Sequence, residues 1–141
     1  MLEVQNVSKK VGEGQVLHPT NLVVEGGRTV VLIGPSGCGK STLLRIIIGL
    51  ISTDTGSIRL DGQELTPQSA EKLRRKMGYV IQDGGLFPHL SAANNVTLMA
   101  RFLGWTAEKV RGRLEELSAL VRLPTEALDK FPSQLSGGQR Q

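Results

Sequence analysis

Aromatic residues are scarce in this 141-residue chain: three Phe, one Tyr and one Trp make up 4% of it. That excludes a core built on rings and a nucleic-acid surface that interleaves aromatic with basic side chains. Cysteine is rarer still. The single Cys38 cannot form an internal disulfide, which removes the disulfide-scaffold class and fits a reducing, cytoplasmic setting. Long apolar runs are missing as well. The longest, Leu43 to Ile51, is interrupted by Arg45 and falls far short of the roughly 20 residues a bilayer requires. Met1 leads into Leu2-Glu3-Val4-Gln5-Asn6-Val7 without a basic or apolar leader pattern, so no secretory signal is expected.

What remains is ordinary for a folded domain: 39% hydrophobic and 21% charged residues rule out a disordered chain. Lys and Arg exceed Asp and Glu by 17 to 13, giving +4. A solvated basic surface accounts for that as well as an anionic partner does.

Hydrophobic patterning divides the chain into strand-rich and helix-rich parts. Leu2–Val7 alternates, Val16–Leu17 and Leu22–Val24 are brief apolar runs, and glycines with Pro19 punctuate them, which predicts antiparallel strands. Thr29–Ile33 is a continuous β-branched run that suits a strand covered on both faces. From Lys40 the spacing of Leu43, Leu44, Ile47 and Ile48 is helical until Gly49. Ser57–Leu60 followed by Asp61-Gly62 predicts a short strand and a tight turn. Gln68–Lys76 reads as a short basic helix and Gly78–Ile81 as a second buried strand. Two amphipathic helices follow, one bearing Val96, Met99 and Leu103, the other Val110, Leu114, Leu117 and Val121. A subdomain boundary is expected near Gln82.

The run Gly34-Pro35-Ser36-Gly37-Cys38-Gly39-Lys40-Ser41-Thr42 fits the phosphate-binding loop in the strand–loop–helix setting it needs. Glycines allow backbone N–H groups to turn inward around a polyphosphate, and the following helix aims its positive end at the same anion. Lys40 reaches β- and γ-phosphate oxygens, and the Ser41 hydroxyl suits Mg²⁺, which prefers hard oxygen ligands. Cys38 reads as a small buried filler of the loop. A second motif, Leu135-Ser136-Gly137-Gly138-Gln139, sets a serine and two glycines at a helix start, as an anion site or simply as an N-cap.

Together the two motifs resemble the ATP-binding-cassette (ABC) ATPases, along the whole chain. The resemblance implies an α/β fold: a P-loop NTPase core with an antiparallel β opening and a helical subdomain, truncated before the Walker B strand. Its parts are expected at residues 1–82 (β subdomain and part of the core), 83–135 (Q-loop and helical subdomain) and 136–141 (signature motif). It also implies that ATP and Mg²⁺ are bound, with Ser41 and Gln82 on the metal and Gln82 positioning water. Ser136, Gly137, Gly138 and Gln139 would act in trans on nucleotide held by a second ATPase subunit, paired head to tail. Transmembrane permease subunits are the further partners, reached through the surface around Asp83–Asn95 with Phe87 and Leu90 as contacts or core residues. The location implied is cytoplasmic, peripheral on the inner face of the cell membrane, with no nucleic acid expected.

Three departures from the family pattern bear on function. Lys9-Lys10-Val11-Gly12 stands where relatives usually offer a ring to adenine, so base preference is open. The family's acidic Mg²⁺ residue, glutamate and switch histidine all follow the signature, and the chain ends at Gln141; His18 and His89 read as ordinary turn residues. The family's central strands also follow the signature, so the 141 residues alone are expected to expose apolar sheet, self-associate, bind nucleotide weakly and hydrolyse it negligibly. The stretch Gly78–Gln82 with Gly85–Leu90 and Trp105 is similar to the ATPase subunits of quaternary-ammonium importers, and the intact protein is expected to couple ATP hydrolysis to solute import. A DNA-associated ABC ATPase would interrupt the 95 residues between Lys40 and Ser136 with coiled coil or CxxC insertions, which are lacking. A non-catalytic nucleotide-binding fragment is the remaining alternative.

Overall fold

Alternation at the N-terminus produces β1 (Leu2–Val11), which turns at Gly12 and pairs antiparallel with β2 (Gly14–Val24). On its other edge β1 pairs with β3 (Thr55–Leu60), and β3 pairs with the two-residue β4 (Gln63–Glu64), giving the sheet order β2-β1-β3-β4. Asp61 and Gly62 both adopt positive φ, 49° and 77°, as the two-residue turn between β3 and β4 requires. The computed structural model describes residues 1–81 and 84–141, which form two units, Met1–Tyr79 and Val80–Gln141.

In β1 the alternation is interrupted after Val4. Val4 and Val7 are both buried although three residues apart, because register shifts fall between them in both pairings and Asn6 takes φ 51°. This is a β-bulge, which turns Val7 to the face that Val4 occupies. Gly56 on β3 accommodates it: a Cβ there would lie 2.1 Å from the Gln5 carbonyl oxygen. Helix α1 (Lys40–Ile47) lays Leu43, Ile46 and Ile47 on the sheet face formed by Val4, Val7, Leu17 and Ile58, which makes the core of the first unit. The helix closes before Gly49 at φ 68°. Helix α2 (Ala70–Arg74) is a shorter version of the expected basic helix.

Two expected strands are not strands. Thr29–Ile33 forms no ladder, and Val31 and Ile33 are 72% and 91% exposed, with only Leu32 packed against the core. Residues 78–81 likewise form no ladder, with Val80 78% exposed. A parallel strand needs neighbours to take its N–H and C=O groups. Among the described residues no strand lies beside either segment, so the β-branched composition has nothing to pair with. The 141 residues, expected to expose apolar sheet, instead expose the apolar side chains of Val31, Ile33 and Val80 on segments that form no sheet. His18 is also corrected, since it lies within β2, whereas His89 does sit in a turn.

In the second unit α3 (Ala92–Phe102) and α4 (Ala107–Leu120) start at Ser91 and Thr106, whose side chains accept from the N–H groups of Asn94 and Lys109. The Ala92 and Ala93 N–H groups donate to the Lys130 and Leu128 carbonyls, tying α3 to a loop whose Ala127 is fully buried. Ala92, Ala127 and Leu135 form the core, with Leu123 against it. Of the expected stripes, Val110 is buried, but Val96, Met99, Leu103 and Val121 are exposed. The small Ala92 and the Thr97 hydroxyl, which donates to the Ala93 carbonyl, face inward instead. The chain ends with α5 (Gly137–Arg140). Among the described residues no helix is long and apolar enough to cross a membrane.

Candidate nucleotide site

Gly34 to Thr42 form one continuous loop and helix start in the first unit. Gly37 and Gly39 adopt φ 83° and 94°, a region that side-chain-bearing residues rarely enter. Gly39 is the residue before α1 and no side chain caps the helix there. A Cβ on Gly39 would stand 2.7 Å from the Val16 carbonyl oxygen and 3.1 Å from Leu17 Cδ1, so the loop is pressed against β2. A Cβ on Gly34 would meet Cys38 Sγ at 2.7 Å. Gly37 differs, with nothing within 4 Å of its missing Cβ. The loop is thus anchored at two glycines and open at the third.

Lys40 organises what the glycines leave open. Its ammonium donates to the carbonyls of Gly34 and Pro35, each at 2.8 Å, and lies 3.4 Å from Cys38 Sγ. A cation held over a turn of backbone with an uncapped helix start beneath it is a receptor for a polyanion. Pro35, Ser36 and the Ser41 hydroxyl are exposed on the same loop, and Thr42 is partly buried. Cys38 corrects the expectation of a buried filler: its side chain is exposed, as are its loop neighbours from Gly34 to Gly37.

The signature residues belong to the second unit. Ser136 Oγ accepts from the Gln139 N–H at 3.3 Å, and Gln139 Oε1 accepts from the Ser136 N–H at 3.0 Å, a reciprocal capping box. Capping therefore occupies Ser136 and Gln139. Gly137 and Gly138 serve neither conformation nor packing in this unit, since neither takes a positive φ and a Cβ on either would meet nothing within 4 Å. Glycine in a helix forfeits about 1 kcal/mol relative to alanine, so two in succession mark a surface kept bare. A cavity of about 360 Å³ next to them is lined by Gly84, Leu86, Pro132, Gly137, Arg140 and Gln141. Gln82 lies outside the described residues.

At Lys9-Lys10-Val11, where a base-stacking ring was looked for, the residues serve the fold. Asp54 accepts from Lys9 Nζ at 2.6 Å and from the Lys10 N–H at 2.7 Å, and these two bonds hold its carboxyl below the usual carboxylate value. Val11 is 66% exposed at the end of β1. The sequence reading missed Val16 and Leu17 as supports of the loop. Their only signal was an apolar pair in a strand.

Known proteins similar to this chain are numerous. The family described as ABC transporter matches residues 17–141. The choline transport ATP-binding protein OpuBA of Bacillus subtilis is 42% identical over all of this chain and 37% of its own length. A sulfate/thiosulfate import ATP-binding protein, CysA of Synechococcus elongatus, is 47% identical over 99% of this chain and 40% of its own length. The chain therefore spans about two fifths of the curated relatives it matches. A solved dimeric structure of the ATP-binding cassette MJ0796 in a post-hydrolysis state, bound to ADP and phosphate, superposes with a TM-score of 0.88 at 36% identity. That match covers 99% of this chain and 65% of that one.

Proposed function

The chain belongs to the ABC transporter family, and from that premise we propose that it is the nucleotide-binding part of the ATPase subunit of a bacterial importer. The observation that carries the reading is the loop built on Gly37, Gly39 and Lys40, which has the curvature and charge for a nucleoside triphosphate. Lys40 exchanges its two carbonyl partners for phosphate oxygens, and the loop N–H groups stabilise charge that grows as the γ-phosphate departs. The exposed Ser41 hydroxyl fits a hard cation, so Ser41 together with Gln82 would hold Mg²⁺. Bound Mg²⁺ supplies charge neutralisation on the phosphates.

The bare face at Gly137-Gly138 supports a role for the signature in completing the nucleotide site of a second subunit, and closure of such a pair around ATP is the step coupled to transport. Permease subunits are the partners in the membrane, which places the protein on its cytoplasmic side. Choline or a related quaternary ammonium is the solute class favoured by the likeness to OpuBA. The test is transport and ATP turnover by the full-length subunit assembled with its permease. Loss of both in Lys40→Ala, with solute specificity for quaternary ammonium compounds, is expected; turnover that survives Lys40→Ala would overturn the reading.

A further inference from the structure

Asn95 stands in the first turns of α3 with its side chain turned back on the segment that follows Gln82-Asp83. Its Oδ1 accepts from the Phe87 N–H at 2.7 Å. Its Nδ2 lies 3.1 Å from the Phe87 carbonyl oxygen, 3.0 Å from that of Leu90 and 3.1 Å from that of Ser91. One primary amide therefore meets one donor and three acceptors, its two hydrogens shared among three carbonyls. The arrangement works in one orientation only, since the flipped amide would set its oxygen against three carbonyl oxygens. All four contacts fall on Phe87, Leu90 and Ser91. Phe87 is held at both its N–H and its C=O, yet its ring is 49% exposed, met edge-on by His89 at 5.9 Å. The backbone is thus fixed beneath a ring that the described residues leave half exposed.

We propose that Asn95 is a positioning residue for coupling: it fixes the shape of Phe87–Ser91 and so presents Phe87 to the permease subunit. The inference rests on the reading of this segment as the permease-facing surface. Asparagine is a poor helix former, so alanine at this position satisfies the helix better and the loop worse. Aspartate keeps the acceptor for the Phe87 N–H but turns a carboxylate oxygen toward three carbonyls, and only protonation restores a donor.

The experiment uses the full-length subunit, alone and assembled with its permease, and compares Asn95→Ala, Asn95→Asp and Phe87→Ala. In Asn95→Ala, amide exchange of residues 84–91 speeds up about tenfold, the expected loss of a hydrogen-bonded loop. The melting temperature and the ATP KM of the isolated subunit stay near wild type, and solute moved per ATP falls severalfold. Asn95→Asp is worse than Asn95→Ala at neutral pH and recovers on acidification, a pH profile that a merely structural role does not produce. Unchanged exchange in Asn95→Ala overturns the clamp. Normal coupling in both Asn95 variants alongside uncoupling in Phe87→Ala overturns the positioning role and leaves the docking surface standing. Normal coupling in Phe87→Ala overturns the docking surface and the proposal with it. A fall in melting temperature and basal turnover that matches the fall in coupling assigns Asn95 to folding and overturns the proposal.

Discussion

The Lys40 ammonium rests 2.8 Å from the carbonyl oxygen of Gly34, so the loop is closed on itself by a side chain six residues further on. Nucleotide binding is then an exchange of partners for one cation, carbonyl oxygens for phosphate oxygens. Lys40→Ala removes both sets. Charge-assisted hydrogen bonds are worth roughly 1.5–3 kcal/mol, so nucleotide affinity is expected to fall about 10- to 100-fold. Titration calorimetry with ATP on the full-length subunit checks this.

The glycines divide by what surrounds them. Gly39→Ala sets a methyl 2.7 Å from a backbone oxygen at φ 94°, and a loss of about 2 kcal/mol or more is expected in urea unfolding. Gly137→Ala and Gly138→Ala meet open space and gain helix propensity, so stability should be unchanged or rise by up to about 1 kcal/mol. Yet ATP turnover of the assembled full-length protein should collapse in both. Retained turnover would show that the bare face at the signature has no ligand to receive.

Asp54 makes stability depend on acidity in a defined direction. The Lys9 ammonium and the Lys10 N–H favour the ionised carboxyl, so its value in the folded chain lies below the ordinary 3.8. A lowered value means the unfolded chain binds the proton first. The contribution is complete above about pH 4 to 5 and is lost as pH falls through the folded value. Asp54→Asn should flatten this acid limb, seen as a smaller shift of the urea midpoint between pH 5 and pH 3. The effect is modest and weakens with salt, because the carboxylate is at the surface.

Cys38 is exposed beside Lys40, within the same loop that nucleotide would cover. Alkylation by a maleimide should slow in proportion to MgATP occupancy. Equal labelling rates with and without MgATP would separate this thiol from the binding site.

The unpaired run at residues 29–33 predicts self-association of the 141-residue chain. Val31 and Ile33 present β-branched side chains and unpaired backbone, the features of an open sheet edge. Sedimentation velocity should show concentration-dependent oligomers, reduced by Ile33→Lys, which adds a charge without touching the core. A monodisperse monomer at all concentrations would contradict this.

The phosphate loop, the turn at Asp61-Gly62 and the helix from Lys40 were legible because each is specified locally, by glycine conformations or by helical spacing. The run Thr29–Ile33 misled because β-branched composition reports a preference, while a strand exists only when a second strand takes its hydrogen bonds. Val96, Met99 and Leu103 misled in the same manner, since amphipathic spacing identifies a sticky face without saying that anything covers it. Asn95 was passed over although Asn94-Asn95 inside a helix is a poor choice by propensity, and its four bonds to a loop are the reason it is there.

The bulge at Asn6 is the first of the register shifts along β1, and it breaks the alternation that Leu2 to Val4 begin. A one-residue deletion between Gln5 and Val7 would act as a frameshift in space, leaving Leu2 to Val4 in place while the side chains just after it changed sides. Ser8 would turn out of the interior, Lys9 would swing away from Asp54, and Gly56 would lose the reason for its missing side chain. The bulged residue therefore behaves less like a contact than like a reading frame, and the strand beyond it tolerates substitution far better than any change in length.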